Sequence, residues 1–163
     1  MSGQSLKISE VIRPDTVDLV FENVKSKEDA IARLIDKLDG AGLLLDKQVF
    51  TQSVYEREAM GSTYMENFIA IPHGKSPGVR EAGIAFGKSE EGFEYVSAGE
   101  SGPVKLVFLL AIPDRTSGDD YMAVLAQLAR LLIHEEFQES MIAAKNYDDV
   151  YSAIVNGEKL LIE

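Results

Sequence analysis

His73 has the sequence setting that most favours chemistry in this 163-residue chain. It follows a short apolar run, residues 68–71, and Pro72. The run predicts a buried strand, and proline, which has no N–H for a strand ladder, predicts that the strand ends there. We therefore expect His73 to be the first side chain beyond the strand, where a neutral imidazole can take and release a phosphoryl group. The alternative is a structural histidine that bonds a backbone carbonyl in a turn.

Groups suited to binding a phosphoryl group lie on both sides of His73 in the sequence. Arg57 is a planar, permanently charged donor that matches phosphate oxygens, and Ser62 and Thr63 carry hydroxyl donors. Gly74 lets the backbone approach a ligand closely or adopt a positive φ. Read without further context, Arg57 is also a reasonable solvated cation at the end of a helix, where the helix dipole favours positive charge.

Arg57, the segment 61–63 with its glycine and two hydroxyls, and the segment 69–74 together resemble a known family. They are similar to the enzyme IIA domain of the fructose/mannitol class in the bacterial phosphoenolpyruvate-dependent sugar phosphotransferase system, and the similarity extends over nearly the whole chain. The resemblance implies one domain over residues 1–163. It also implies that His73 accepts a phosphoryl group from the phosphocarrier HPr and passes it to a IIB domain, while Arg57 helps to hold that group.

The same resemblance implies which nitrogen of the imidazole reacts, and the neighbouring residue types predict supporting donors. The family's phosphoryl site is Nε2, which leaves Nδ1–H of His73 to a backbone carbonyl. We expect Ser62, Thr63 and amides near Gly74 to add hydrogen bonds to the transferring group.

Tyr121 marks a departure from the family pattern. Many members carry a second active-site histidine at the start of the long helix, and that position corresponds here to Tyr121, or to Asp120 if the preceding loop differs by one residue. We expect Tyr121 to donate a hydrogen bond to a phosphoryl oxygen, although a tyrosine cannot become a cation.

The composition of the chain excludes several kinds of chemistry and partner. The chain has no cysteine, two histidines and a formal net charge of −11. Disulfides and thiolate chemistry are excluded, and no metal-binding motif or cofactor-binding motif is present. The acidic charge opposes a nucleic-acid partner and favours a protein partner with a positive face, which the resemblance implies that HPr offers. Because no apolar segment is long enough to cross a membrane, we expect a cytoplasmic protein that does not insert into the membrane. The resemblance implies that it works with a membrane IIC permease.

The fold class expected from the pattern is α/β. We predict a mixed β-sheet of about five strands sandwiched by helices, the mannitol-type IIA fold, with residues 68–71 and 104–112 as central strands. Ser26 predicts the cap of one helix, and Asp46 that of a second helix reaching about Met60.

The rest of the sequence predicts a long helix and several turns. A helix from Tyr121 to about residues 134–136 would place His134 near its C-terminal end in a structural role. Residues 13–15 separate two apolar stretches of an opening strand and loop, while residues 75–78 and 90–92 predict turns. Three carboxylates flank the site in sequence and are interpreted as solvated surface groups: Glu56, Glu58 and Glu66.

Two functions remain open on the sequence alone. The first is a sugar-transport phosphocarrier, the IIA component of a fructose- or mannitol-type permease, standing as a separate chain. The second is a regulatory phosphoprotein of the same fold that signals through its phosphorylation state. Both need His73 and its phosphoryl-binding groups.

Overall fold

The structure is a computed structural model that describes residues 7–162, and the side chain of residue 162 is not described. Its contacts divide the chain into two compact units, residues 13–115 and residues 1–12 with 116–163. Over the described residues the elements comprise six strands and six helices, so the α/β class with a mixed sheet is confirmed.

The larger unit is built on β5 (Gly83–Ser97) and β6 (Glu100–Pro113), which form a long antiparallel hairpin. Two short strands, β3 (Ile69–Ala70) and β4 (His73–Ser76), follow one another along the other side of β6 and pair with it in parallel. The edges of the sheet are β1 (Ile12–Asp18), beside β5, and β2 (Tyr64–Met65), antiparallel to β3.

Two helices of this unit begin at the predicted caps. In α2 (Lys27–Gly40) the Ser26 side chain accepts from the backbone N–H of Asp29, and in α3 (Lys47–Met60) Asp46 accepts from two backbone N–H groups. Helix α2 packs on β5 and α3 packs on β4. Their apolar faces and the strands form one buried core, whose side chains include Ile31, Leu34, Phe50, Val54, Tyr95 and Val107.

The prediction that residues 104–112 form a central strand is confirmed, and all but Lys105 are buried.

The predicted bounds of the strand before His73 and of several turns were wrong. Phe68 lies before β3 with φ of 66° and is exposed, Lys75 and Ser76 continue β4, and residues 90–92 form an irregularity inside β5. Residues 13–15 lie within β1, where an edge strand tolerates proline.

The smaller unit contains four helices: α1 (Ile8–Val11), α4 (Gly118–Leu132), α5 (Glu135–Ala143) and α6 (Tyr147–Ile162). Ser9 Oγ donates to Glu158 at 2.7 Å, which ties α1 to α6. His134 was placed wrongly by the sequence pattern, because α4 ends at Leu132 and His134 stands at the N-terminal flank of α5, where the helix dipole does not favour a cation.

Candidate functional site

His73 was predicted to lie beyond the end of a strand, but it is the first residue of β4, because pairing with β6 resumes after Pro72. The break between β3 and β4 sets its surroundings. Between β3 and β4 the chain leaves β6 at Ile71 and Pro72: the N–H of Ile71 donates to the carbonyl of Thr63 at 2.9 Å, and Pro72 has no N–H. The ladder resumes when Leu110 N–H donates to the Pro72 carbonyl at 3.1 Å. The break leaves the Ile71 carbonyl available to a side chain.

The imidazole of His73 uses that carbonyl. Nδ1 lies 2.9 Å from the Ile71 oxygen, and Nε2 lies 3.2 Å from Nε of Arg57. Because the guanidinium N–H can only donate, Nε2 accepts and carries the lone pair. Nδ1 of the neutral ring therefore carries the proton and donates it to Ile71, which is the arrangement expected for a nucleophile at Nε2.

Arg57 reaches the histidine from the last turn of α3. Its Nη1 donates to the Gly61 carbonyl at 2.9 Å, just beyond the helix end, while its Nε–H is directed at Nε2 of His73. The side chain is half-buried. Both carbonyl and imidazole are neutral acceptors, so an anionic group at this place would be a stronger partner for the guanidinium than either of them.

Gly74 brings α3 close enough for this contact. A Cβ atom at position 74 would lie 3.2 Å from the backbone nitrogen and Cγ2 of Val54, and 3.3 Å from Cε1 of Phe50. Its φ is not positive. The positive φ predicted as one possibility is therefore wrong, and the glycine serves the close packing of α3 on β4. Its amide as a phosphoryl donor stays a prediction.

Burial lowers the pKa of His73, which is only 4% exposed. It is the largest cause of the shift, which takes the pKa below the usual 6.5. The Ile71 hydrogen bond opposes this shift, the Arg57 charge adds a smaller lowering, and Glu58 opposes it least. A lowered pKa keeps the ring neutral, and thus nucleophilic, at neutral pH.

Glu58, next to Arg57, was predicted to be a solvated surface group, and that prediction was wrong. It is 4% exposed, whereas Glu56 and Glu66 are exposed as expected. The sequence held a signal: Glu58 follows the buried Phe50 and Val54 at intervals of four residues, the spacing of one helix face.

The Glu58 carboxylate is bound by donors from three other parts of the larger unit. Lys27 Nζ lies 3.3 Å from Oε1, and Ser97 Oγ donates to the same oxygen at 2.8 Å. Oε2 accepts from the Thr63 hydroxyl and, at 3.4 Å, from the Tyr95 hydroxyl. We call these five residues the Glu58 cluster. Burial, as the largest cause, and Glu58 raise the pKa of Tyr95, so it remains a neutral donor.

The other predicted phosphoryl-binding residues occupy different settings. Thr63 is buried, with its hydroxyl engaged by Glu58 and Tyr95, and Ser62 Oγ accepts from the Tyr64 N–H at 3.1 Å. Tyr121 belongs to the smaller unit, where it lies half-buried in the first turn of α4. Phosphoryl binding by these side chains stays a prediction.

Residues 7–162 contain no group of three or more histidine, cysteine or carboxylate side chains placed to hold a metal ion. None of the helices in that part of the chain has the length and apolarity needed to cross a membrane.

The fold and site define a class of protein: an α/β domain that holds a neutral histidine at a strand end beside an arginine. The chain belongs to the EIIA 2 family of the phosphoenolpyruvate-dependent sugar phosphotransferase system, whose family model matches residues 10–157. The match runs through both units of the chain.

Individual relatives divide between sugar transport and regulation. The chain is 33% identical over 154 residues to a fructose-specific EIIABC component of Bacillus subtilis, covering 94% of this chain but only 24% of that protein. It is 29% identical to a nitrogen regulatory protein of Bradyrhizobium diazoefficiens, covering 91% and 95% of the two chains. The solved complex of enzyme IIAMTL with phosphorylated enzyme IIBMTL from Escherichia coli shares the fold, with a TM-score of 0.73 at 20% identity and coverage of 90% and 99%.

Proposed function

We propose that this chain is a histidine phosphocarrier, the EIIA component of a sugar phosphotransferase system of the fructose or mannitol class. It accepts a phosphoryl group from HPr on Nε2 of His73 and passes it to a IIB domain, in the cytoplasm and beside a membrane IIC permease. The observation that carries the proposal is the pair of bonds on the imidazole, which direct the Nδ1 proton to Ile71 and leave the lone pair at Nε2 facing Arg57. The family match over residues 10–157 supports a single EIIA domain over residues 1–163.

The proposed reaction begins with displacement of Arg57 from Nε2. The lone pair of Nε2 attacks phosphorus in line, the bond from phosphorus to the donor atom of phosphorylated HPr breaks, and its electron pair stays with the donor. The ring of His73 gains a positive charge, because Nδ1 keeps its proton, and the hydrogen bond to the Ile71 carbonyl becomes charge-assisted. Arg57 then has phosphoryl oxygens as partners in place of a neutral nitrogen. Transfer to IIB reverses these steps.

A matched pair of histidine variants tests the carrier role. The chain has two histidines, and His134 lies at the flank of α5 in the smaller unit, so His134→Ala controls for loss of an imidazole elsewhere. Incubated with enzyme I, HPr and phosphoenolpyruvate, the unaltered chain and His134→Ala should each gain one acid-labile, alkali-stable phosphoryl group, and His73→Ala should gain none. An adduct of normal yield in His73→Ala would refute the assignment.

A regulatory phosphoprotein is the second candidate, favoured by the nitrogen regulatory relative that aligns over nearly its whole length. The two candidates differ in the fate of the phosphoryl group. A transport component discharges rapidly to a fructose- or mannitol-class IIB domain, whereas a regulator stays charged in its presence. Mixing the phosphorylated chain with purified IIB domains and following the phosphohistidine over time separates them.

A further inference from the structure

The Glu58 cluster is connected to His73 by a short path of hydrogen bonds. Thr63, which donates its hydroxyl to Glu58, also donates its N–H to Ser97 Oγ at 3.0 Å. The carbonyl of the same Thr63 accepts from the Ile71 N–H at 2.9 Å. The carbonyl of Ile71, in turn, is the acceptor for Nδ1 of His73.

This path holds the peptide group whose carbonyl accepts from Nδ1 of His73. Ile71 lies between β3 and β4, where the chain leaves β6. Its N–H is bound by the Thr63 carbonyl and not by the β6 ladder. Three side chains hold Thr63: Glu58 of α3, and Tyr95 and Ser97 of β5. The orientation of the Ile71 carbonyl therefore depends on the Glu58 cluster.

The composition of the cluster favours a positioning role over a contribution to stability alone. A buried carboxylate bound by a lysine and three hydroxyls is costly to desolvate, and apolar side chains of similar volume commonly stabilise a core as well or better. What such a cluster adds is a defined geometry, because each donor satisfies one acceptor in one direction. Here that geometry spans α2, α3, β5 and the segment that precedes His73.

We infer that Glu58 is a positioning residue for phosphoryl transfer, which acts through Thr63 and the Ile71 carbonyl to hold Nδ1–H of His73 and leave Nε2 available to phosphorus. This inference rests on the proposed carrier function for its effect on rate. Its effect on the imidazole tautomer is independent of that function.

Glu58→Gln is the main test, because it keeps the shape of the side chain and places an NH₂ group among donors. Glu56→Gln is the matched control: it removes the same charge two residues away on an exposed face of α3. Single-turnover transfer from phosphorylated HPr should slow by roughly 10- to 100-fold in Glu58→Gln, the scale expected of a misplacement near 1 Å. Glu56→Gln should match the unaltered chain.

The ¹⁵N NMR spectrum of the His73 ring supplies the readout that a loss of stability would not move. The unaltered chain and Glu56→Gln should show a ring protonated at Nδ1, and Glu58→Gln should show a mixture of the two tautomers while its unfolding remains cooperative. If Glu58→Gln does not fold, Ser97→Ala decides, because it removes one bond to Glu58 and one to the Thr63 N–H.

The outcomes separate this inference from the proposed function. An unaltered rate and tautomer in the Glu58 or Ser97 variant would overturn the inference while leaving the carrier role intact. A slower rate with an unchanged tautomer would also overturn it, since the effect would not pass through Ile71. If the unaltered chain itself is never phosphorylated, the carrier role fails, and the tautomer measurement still tests the positioning.

Discussion

Arg57 and Glu58 are neighbours in the last turn of α3, yet their surroundings are opposite. Arg57 is half-buried and bonds two neutral acceptors, Nε2 of His73 and the Gly61 carbonyl. Glu58 is buried and accepts from four side chains of three other segments. One helix end therefore carries both a cation whose observed partners are neutral acceptors and a carboxylate fixed by four side chains. We expect substitutions at the two residues to have different effects.

Arg57→Ala should produce the largest effect. Losing a charged donor at a transferring phosphoryl group raises the barrier by about 3–4 kcal/mol, which corresponds to a loss of rate of roughly a hundredfold to a thousandfold. Transfer from phosphorylated HPr, measured by rapid quench, checks this value. Arg130→Ala removes an exposed arginine of α4 and serves as the control. A small effect of Arg57→Ala would mean that other groups bind the phosphoryl oxygens.

Gly74→Ala should disturb Arg57 and Glu58 together, because it acts on the packing of the helix that carries them. The added methyl group would press on Val54 and Phe50, and overpacking of this kind costs about 1–3 kcal/mol of unfolding free energy. Urea denaturation measures the loss. Gly40→Ala, where the added atom meets nothing within 4 Å, is the control; because Gly40 lies in α2, it should raise stability slightly, by about 0.4–1 kcal/mol. Equal stability of the two variants would contradict the close packing of α3 on β4.

The pKa of His73 should depend on the charge of Arg57, so a titration tests the contact between the two side chains. Its pKa lies below 6.5 in the folded chain, so the folded state binds fewer protons than the unfolded state as the pH falls through 6.5. His73 therefore contributes nothing to stability above that range and lowers stability below it. In Arg57→Ala, NMR titration should show a higher pKa, because a neighbouring positive charge is removed. A pKa unchanged by the substitution would place the guanidinium farther from the ring in solution.

Tyr121 should give the smallest effect, since it lies outside the Arg57–Glu58 contrast. We expect Tyr121→Phe to slow transfer only mildly and Tyr121→His to be tolerated or to speed it, because a histidine can carry a positive charge and a tyrosine cannot. The same rapid-quench assay measures both. A large loss in Tyr121→Phe would show that its hydroxyl is needed for transfer.

Several features of this protein follow from short stretches of sequence. The caps at Ser26 and Asp46 and the apolar strand of residues 104–112 are local signals, because a capping bond and a ladder of apolar side chains need only nearby residues. The pairing of His73 with Arg57 was expected from the family resemblance carried by residues 57–74, and the structure places the two side chains in contact.

Tertiary structure alone decided how the site is held. Thr63 and Glu58 meet Ser97 across 34 and 39 residues of chain, and no local pattern states which buried donor a carboxylate will meet. The same holds for Gly74, whose lack of a side chain matters only because α3 lies against it. The reason is physical: a buried polar group must find its partners wherever packing brings them, so the partners of Glu58 and the direction of the Ile71 carbonyl are properties of the assembled sheet and helices.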